Sequence, residues 1–163
     1  MAMTMTGEAV LPADRNRVWG MLNDPLVLKS CIPGCQSLQK TSDTSFAAVV
    51  KVKIGPVSAT FKGAVQLTDL DPPNGYTIAG EGEGGVAGFA KGGAKVRLLA
   101  AGGETTAPDS TLLKYDVDAN VGGKIAQLGS RLIDGVAKKL ADQFFAAFAA
   151  AVKSAAEPAP GGG

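Results

Sequence analysis

The chain of 163 residues contains no histidine. That removes the side chain that most often serves as general base and as metal ligand near neutral pH. Cysteine occurs twice, at Cys31 and Cys35. A zinc site on this pair would need carboxylates, and none lies between them, so metal catalysis is not expected. No apolar run approaches the roughly 20 residues that cross a bilayer. The start, MAMTMTGEAV, lacks the charged opening and long apolar stretch of a signal peptide. These absences point to a cytoplasmic protein with reduced thiols. Formal net charge is +1, which gives no global attraction to phosphate, so no nucleic-acid partner is expected.

What is present suits one globular domain: 45% apolar and 19% charged residues. The domain is expected over residues 1–153, followed by a flexible Pro/Gly-rich tail over 154–163. Met3 to Leu11 alternates as a strand. Asp14 can cap a helix through Val18, Trp19 and Leu22. Asp24-Pro25 restarts a shorter helical piece, which ends at Pro33-Gly34.

From Ser37 to Val121 the pattern is strand after strand. Phe46, Ala48, Val50, Val52 and Ile54 alternate with Ala47, Val49, Lys51 and Lys53. Ala59, Phe61, Gly63, Val65 and Leu67 alternate with Lys62 and Gln66. Lysines on one face imply a sheet with one wet side. Gly55-Pro56 predicts a hairpin, and Asp71-Pro72-Pro73-Asn74-Gly75 a second turn. Leu98, Leu113, Tyr115 and Val117 continue the inward face, and residues 102–109 read as a loop. A final helix is expected from Lys124 to about Lys153, roughly 45 Å long.

The inward set is unusually small: Ala48, Ala59, Gly63, Gly80, Gly92, Ala94 and Ala119. Gly129 falls within the apolar stripe of the expected helix, where it would cost about 1 kcal/mol relative to alanine. Small residues facing one another leave either an intimate helix–sheet contact or an empty space.

Three segments carry a family resemblance. They are Asp24-Pro25 with Cys31-Ile32-Pro33-Gly34-Cys35, then Lys53-Ile54-Gly55-Pro56-Val57-Ser58-Ala59-Thr60-Phe61-Lys62-Gly63, and Gly122-Gly123-Lys124-Ile125-Ala126-Gln127-Leu128-Gly129-Ser130-Arg131-Leu132-Ile133. With this order and spacing the chain resembles the CoxG subunit of carbon monoxide dehydrogenase, within the START-like helix-grip superfamily (SRPBCC). The resemblance implies an α+β helix-grip fold, a curved antiparallel sheet wrapped around a long C-terminal helix, with two short helices after the first strand. It also implies a non-enzymatic accessory protein that handles lipophilic ligands. Such a protein serves a molybdenum-containing hydroxylase as carrier or membrane-recruitment factor and carries no cofactor itself. Peripheral contact at the inner face of the membrane is part of that expectation.

An apolar space would be lined by Phe46, Val50, Val52, Phe61, Gly63, Val65, Leu98, Leu113, Tyr115 and Val117 from the strands. Gly129, Leu132, Ile133, Val136 and Leu140 would face it from the helix. Trp19 and Leu22, with Leu26, Leu28 and Ile32, could form the mouth; the alternative is ordinary core. No charged side chain belongs to this set, and Tyr115 is its polar handle. An ionised ligand would be costly to bury there. A neutral, largely hydrocarbon molecule is therefore expected, such as an isoprenoid quinone, a lipid tail or a polycyclic compound, and the redox enzymes that the family accompanies put the quinone first.

Two further features point outward. Gly80 to Gly93, GEGEGGVAGFAKGG, resembles a phosphate loop but lacks the Lys-Ser/Thr and the following helix. It reads as a flexible hairpin whose Val86 and Phe89 could touch a membrane or partner. Phe144, Phe145 and Phe148 could form a similar contact on the last helix, or cap the far end of the sheet. Cys31 and Cys35 read as small apolar residues rather than a redox pair. The alternatives for function are a recruitment factor acting through its surface without a ligand, and a cyclase or hydrolase on the same fold. The last would depend on Tyr115 or Tyr76 for its proton chemistry.

Overall fold

Local side chains start the first helices where the pattern of polar and apolar residues predicts. In the computed structural model, which describes residues 1–100 and 110–156, strand β1 spans Ala2–Leu11. Asp14 is extended, and its carboxylate accepts the Arg17 N–H at 2.8 Å, which opens helix α1, Arg15–Leu22. That bond satisfies one of the orphan amides of the first turn. Asp24 repeats the device on the Leu26 N–H at 2.9 Å, and Pro25 occupies the first turn of α2, Pro25–Cys31.

Six more strands follow: β2 Cys35–Ser42, β3 Ser45–Ile54, β4 Val57–Asp71, β5 Gly75–Glu83, β6 Phe89–Ala100 and β7 Thr111–Gly122. They form one antiparallel sheet in the order β1-β7-β6-β5-β4-β3-β2. The Gly55-Pro56 turn and the Asp71–Gly75 turn lie where expected. Gly55 has φ 59°, a left-handed conformation suited to glycine, and the Leu132 side chain packs over it. The expected loop at 102–109 lies outside the described residues, as does the expected tail from Glu157 on; its first residues, 154–156, belong instead to the last helix.

The register gathers the small inward residues into rows. Phe46, Val65, Gly80, Gly92, Ala119 and Met3 lie side by side across six strands. Ala48, Gly63, Gly82, Ala90 and Val121 form the next row, and Leu67, Ile78, Ala94, Val117 and Met5 the row on the other side. At Gly92 the close-contact alternative holds, because a Cβ there would run into the Asp118–Ala119 backbone.

The last helix differs from expectation. Lys124–Leu128 is a short 3-10 turn, and α3 runs from Ser130 to Ala156, about 40 Å long. Gly129 stands between them with φ 95° and ψ 152°, so it breaks the helix rather than lying inside it. Nothing approaches within 4 Å of where its Cβ would be. The chain is therefore re-aimed at Gly129, and Ile125 enters a separate apolar cluster with Ala87, Val121 and Ile133. The principal core gathers Leu11, Val18, Leu22, Leu67, Leu98, Leu113, Phe148 and Val152 where the end of α3 meets α1 and α2. The result is the helix-grip architecture: a seven-stranded antiparallel sheet, two short helices after β1 and a long C-terminal helix.

Candidate ligand cavity

Between the two apolar clusters the interior is not filled. An inner lobe of about 400 Å³ is bounded by Leu22, Leu28, Ile32 and Leu38 from the first half of the chain. Phe46, Ala48, Val50, Phe61, Gly63, Val65, Leu67, Tyr76, Ile78, Val96 and Leu113 form its sheet wall, and Phe144 and Phe145 cover it from α3. A second lobe, also about 400 Å³, lies against Met5, Ile32, Pro33, Val50, Ile78, Ala94, Val96, Tyr115 and Val117. Ala137, Leu140, Ala141, Phe144 and Phe145 close it on the α3 side. The lobes share Ile32, Val50, Ile78, Val96, Phe144 and Phe145. They are adjoining compartments in the size range of small-molecule sites. A larger concavity of about 660 Å³ lies on the outer face beside Ser45, Ala47, Ala64, Gln66, Glu81 and Lys91. Glu81 and Lys91 stand on its wall, whereas the two lobes are lined by hydrocarbon and two tyrosines and are the ones suited to an apolar ligand.

Of the residues expected to line a space, Leu22, Phe46, Val50, Phe61, Gly63, Val65, Leu113, Tyr115, Val117 and Leu140 do line one lobe or the other. Trp19 packs edge-on against Tyr76 instead, with ring centroids 5.3 Å apart. Leu98 is fully buried in close-packed core. Ile133 belongs to the smaller cluster, Leu132 covers Gly55, and Val52 and Val136 line neither lobe. Gly129 lies outside the helix and also lines neither. Leu28 and Ile32 are at the cavity, whereas Leu26 is 78% exposed.

The phenylalanines correct the outward reading of α3. Phe148 is 0% exposed, and Phe144 and Phe145 form cavity wall. Phe144 stacks on Phe148 at 5.6 Å, and Phe145 stacks on Tyr115 at 5.2 Å. Such aromatic pairs add to the burial of each ring. Val86, by contrast, is 94% exposed and Phe89 is exposed beside it.

Tyr115 is a weaker polar handle than the sequence implies. Its hydroxyl and ring lie over Gly7 of the edge strand β1, its cross-strand partner, in space a Cβ would occupy. Burial raises its phenol pKa, and the nearby Asp142 carboxylate raises it further. Tyr76 is a lining residue that the sequence reading leaves out; it is buried, which pushes its phenol pKa well above the ordinary value. Its alternation with Ile78 and Gly80 marks it as inward, so the sequence does carry the signal. Cys31 and Cys35 are both free thiols. Among the described residues no group of three or more Cys, Asp or Glu gathers to hold a metal ion.

Comparison with known proteins bears on both fold and site. Residues 7–153 match the family described as the G-type subunit of carbon monoxide dehydrogenase (CoxG). A conserved protein from Geobacillus kaustophilus is 31% identical, with a TM-score of 0.84, over 94% of this chain and 97% of that one. The Zhui aromatase/cyclase from Streptomyces sp. R1128 is 13% identical, with a TM-score of 0.70, over 99% of each chain. A START superfamily protein from Mycobacterium smegmatis is 14% identical, with a TM-score of 0.68, over 93% of this chain and 98% of that one. The last two share the fold. No curated protein matches significantly in sequence.

Proposed function

Because this chain belongs to the CoxG family of carbon monoxide dehydrogenase subunits, we propose that it is a non-enzymatic protein that binds a neutral lipophilic ligand. An isoprenoid quinone is the first choice and a lipid the second. In this reading it serves a molybdenum-containing, carbon monoxide dehydrogenase-type hydroxylase as carrier or membrane-recruitment factor. It works in the cytoplasm and meets the inner face of the membrane peripherally.

The observation that carries the reading is the unfilled, hydrocarbon-lined interior. Interiors normally pack to crystal-like density; the inner lobe of about 400 Å³ departs from that, and the outer lobe continues it towards solvent. Removing apolar surface from water stabilises a complex by roughly 25 cal/mol per Å², so this lining favours an apolar guest. Acid–base chemistry asks for a proton-active group at the reacting centre. Here the lining offers two tyrosines with raised pKa values and no carboxylate. No helix among the described residues is long and apolar enough to cross a membrane, so membrane contact falls to exposed side chains such as Val86 and Phe89.

The test is native mass spectrometry of the purified protein after incubation with a short-chain quinone and, separately, a lipid extract. A stoichiometric complex that is lost in Ala48→Phe, which fills the inner lobe, supports the reading. A folded protein that takes up neither class would transfer the function to its surface, where the Val86 and Phe89 hairpin favours a recruitment role without a ligand.

A further inference from the structure

We infer that the ligand lies with its hydrocarbon end in the inner lobe and its polar end in the outer lobe, beside the rim between α3 and β1. This rests on the ligand-binding reading above and adds an orientation to it.

Three observations set the direction. First, six residues of the inner lining, among them Leu22, Phe46, Leu67 and Leu113, are shut from solvent and the rest are half-buried, whereas on the outer lining Val96 alone is shut from solvent. The outer lobe is therefore the side that faces water. Second, tyrosines supply the sole polar side chains on either lining. The Tyr115 hydroxyl lies over Gly7 at the β1 edge, and Asp142 is close enough to influence it. Its ring face is covered by Phe145. The polar atoms of the outer lobe thus gather at its rim. Third, the inner lining carries a single polar side chain, the buried Tyr76, so a headgroup placed there meets at most one phenol. At the outer lobe a carbonyl or hydroxyl keeps its water, whereas in the inner lobe it exchanges that water for the one phenol. A chain end loses nothing polar there.

Trp19 supplies the reporter. It is the single tryptophan and stands edge-on to Tyr76, which lines the inner lobe. The experiment measures quenching of Trp19 fluorescence by two neutral probes at saturation, methyl stearate with a nitroxide near its tail end and methyl stearate with the nitroxide near its ester. Occupancy is read by native mass spectrometry on the same samples. The tail-labelled probe is expected to quench several-fold more strongly. In Ala48→Phe, with unchanged circular dichroism, that excess should disappear; Val65→Met, a smaller perturbation, should reduce it. Tyr76→Phe, which removes the one hydroxyl of the inner lining, should cost less than about tenfold in affinity. Equal or stronger quenching by the ester-labelled probe overturns the orientation. So does a loss of more than about tenfold in affinity in Tyr76→Phe, which would put the polar end inside. If neither probe is bound, the ligand-binding reading itself fails, and the orientation with it.

Discussion

Two glycines near the start of the last helix make opposite predictions for the same substitution. Gly129 and Gly135 both have open space where a Cβ would go, with nothing within 4 Å. Gly135 lies inside α3 and is exposed. There, alanine removes the backbone entropy that glycine loses on folding, so Gly135→Ala should stabilise the protein by roughly 0.5–1 kcal/mol. Gly129 has φ 95° and ψ 152°, a region that residues with a Cβ enter at a cost of about 1–3 kcal/mol. Gly129→Ala should therefore destabilise by that amount. With no neighbouring atom to collide with, the whole effect is backbone conformation. Urea unfolding of the full chain, followed by circular dichroism, separates the two cases if the denaturant slope stays constant. The melting temperature should shift by about 2–4 °C per kcal/mol for a domain of this size. Stabilisation by Gly129→Ala equal to that of Gly135→Ala would refute the break and restore one continuous helix from Lys124.

Phe148→Ala should lose about 3–5 kcal/mol in the same assay, as fully buried aromatic truncations do; a change within about 0.5 kcal/mol would return Phe148 to the surface. Val86→Ser, at a 94% exposed position, should alter stability by less than about 0.5 kcal/mol while weakening co-sedimentation with lipid vesicles. Unchanged sedimentation would remove the hairpin from any membrane contact. Tyr76 should make the protein sensitive to alkali. Its folded pKa is raised by burial from the ordinary 10.0, so below pH 10 both states keep the proton. Above that, the unfolded chain releases it first and stability falls by about 1.4 kcal/mol per pH unit until the folded group titrates. Tyr76→Phe should flatten this part of a stability–pH profile measured from pH 9 upward, and an unaltered profile would show that Tyr76 is not buried. A thiol reagent should reach the partly exposed Cys35 well before the buried Cys31; equal rates would mean that α2 is not closed over the core.

The sheet is legible in the sequence because alternation is a strong signal where one face meets water. Lysines at 51, 53 and 62 mark the wet side of β3 and β4, and every inward assignment on those strands is consistent with the register. Alternation says which way a side chain points, however, and not what it meets. Val96 and Leu98 are both inward and buried on β6, yet Val96 borders the lobes while Leu98 is sealed in core. That difference depends on where α3 crosses the sheet, which no local pattern records.

The helix departs from its sequence reading for a related reason. Following one stripe from Ile125 onward carries its phase across Gly129, and in that phase Phe144, Phe145 and Phe148 rotate away from the core. The backbone resets the phase at Gly129. Counted from Ser130, the inward positions Ile133, Ala137, Leu140, Phe144, Phe148 and Val152 recur every three or four residues. A glycine that reads as a gap on the buried face is instead the joint that turns the helix so its phenylalanines close the cavity. The open interior has a different source: rows of Ala and Gly held in register on the sheet. Small residues remove wall, and the bulky aromatics of α3 stand across the remaining gap without filling it. The same pairing of a thin wall with a distant aromatic partner leaves room for a chain-like guest.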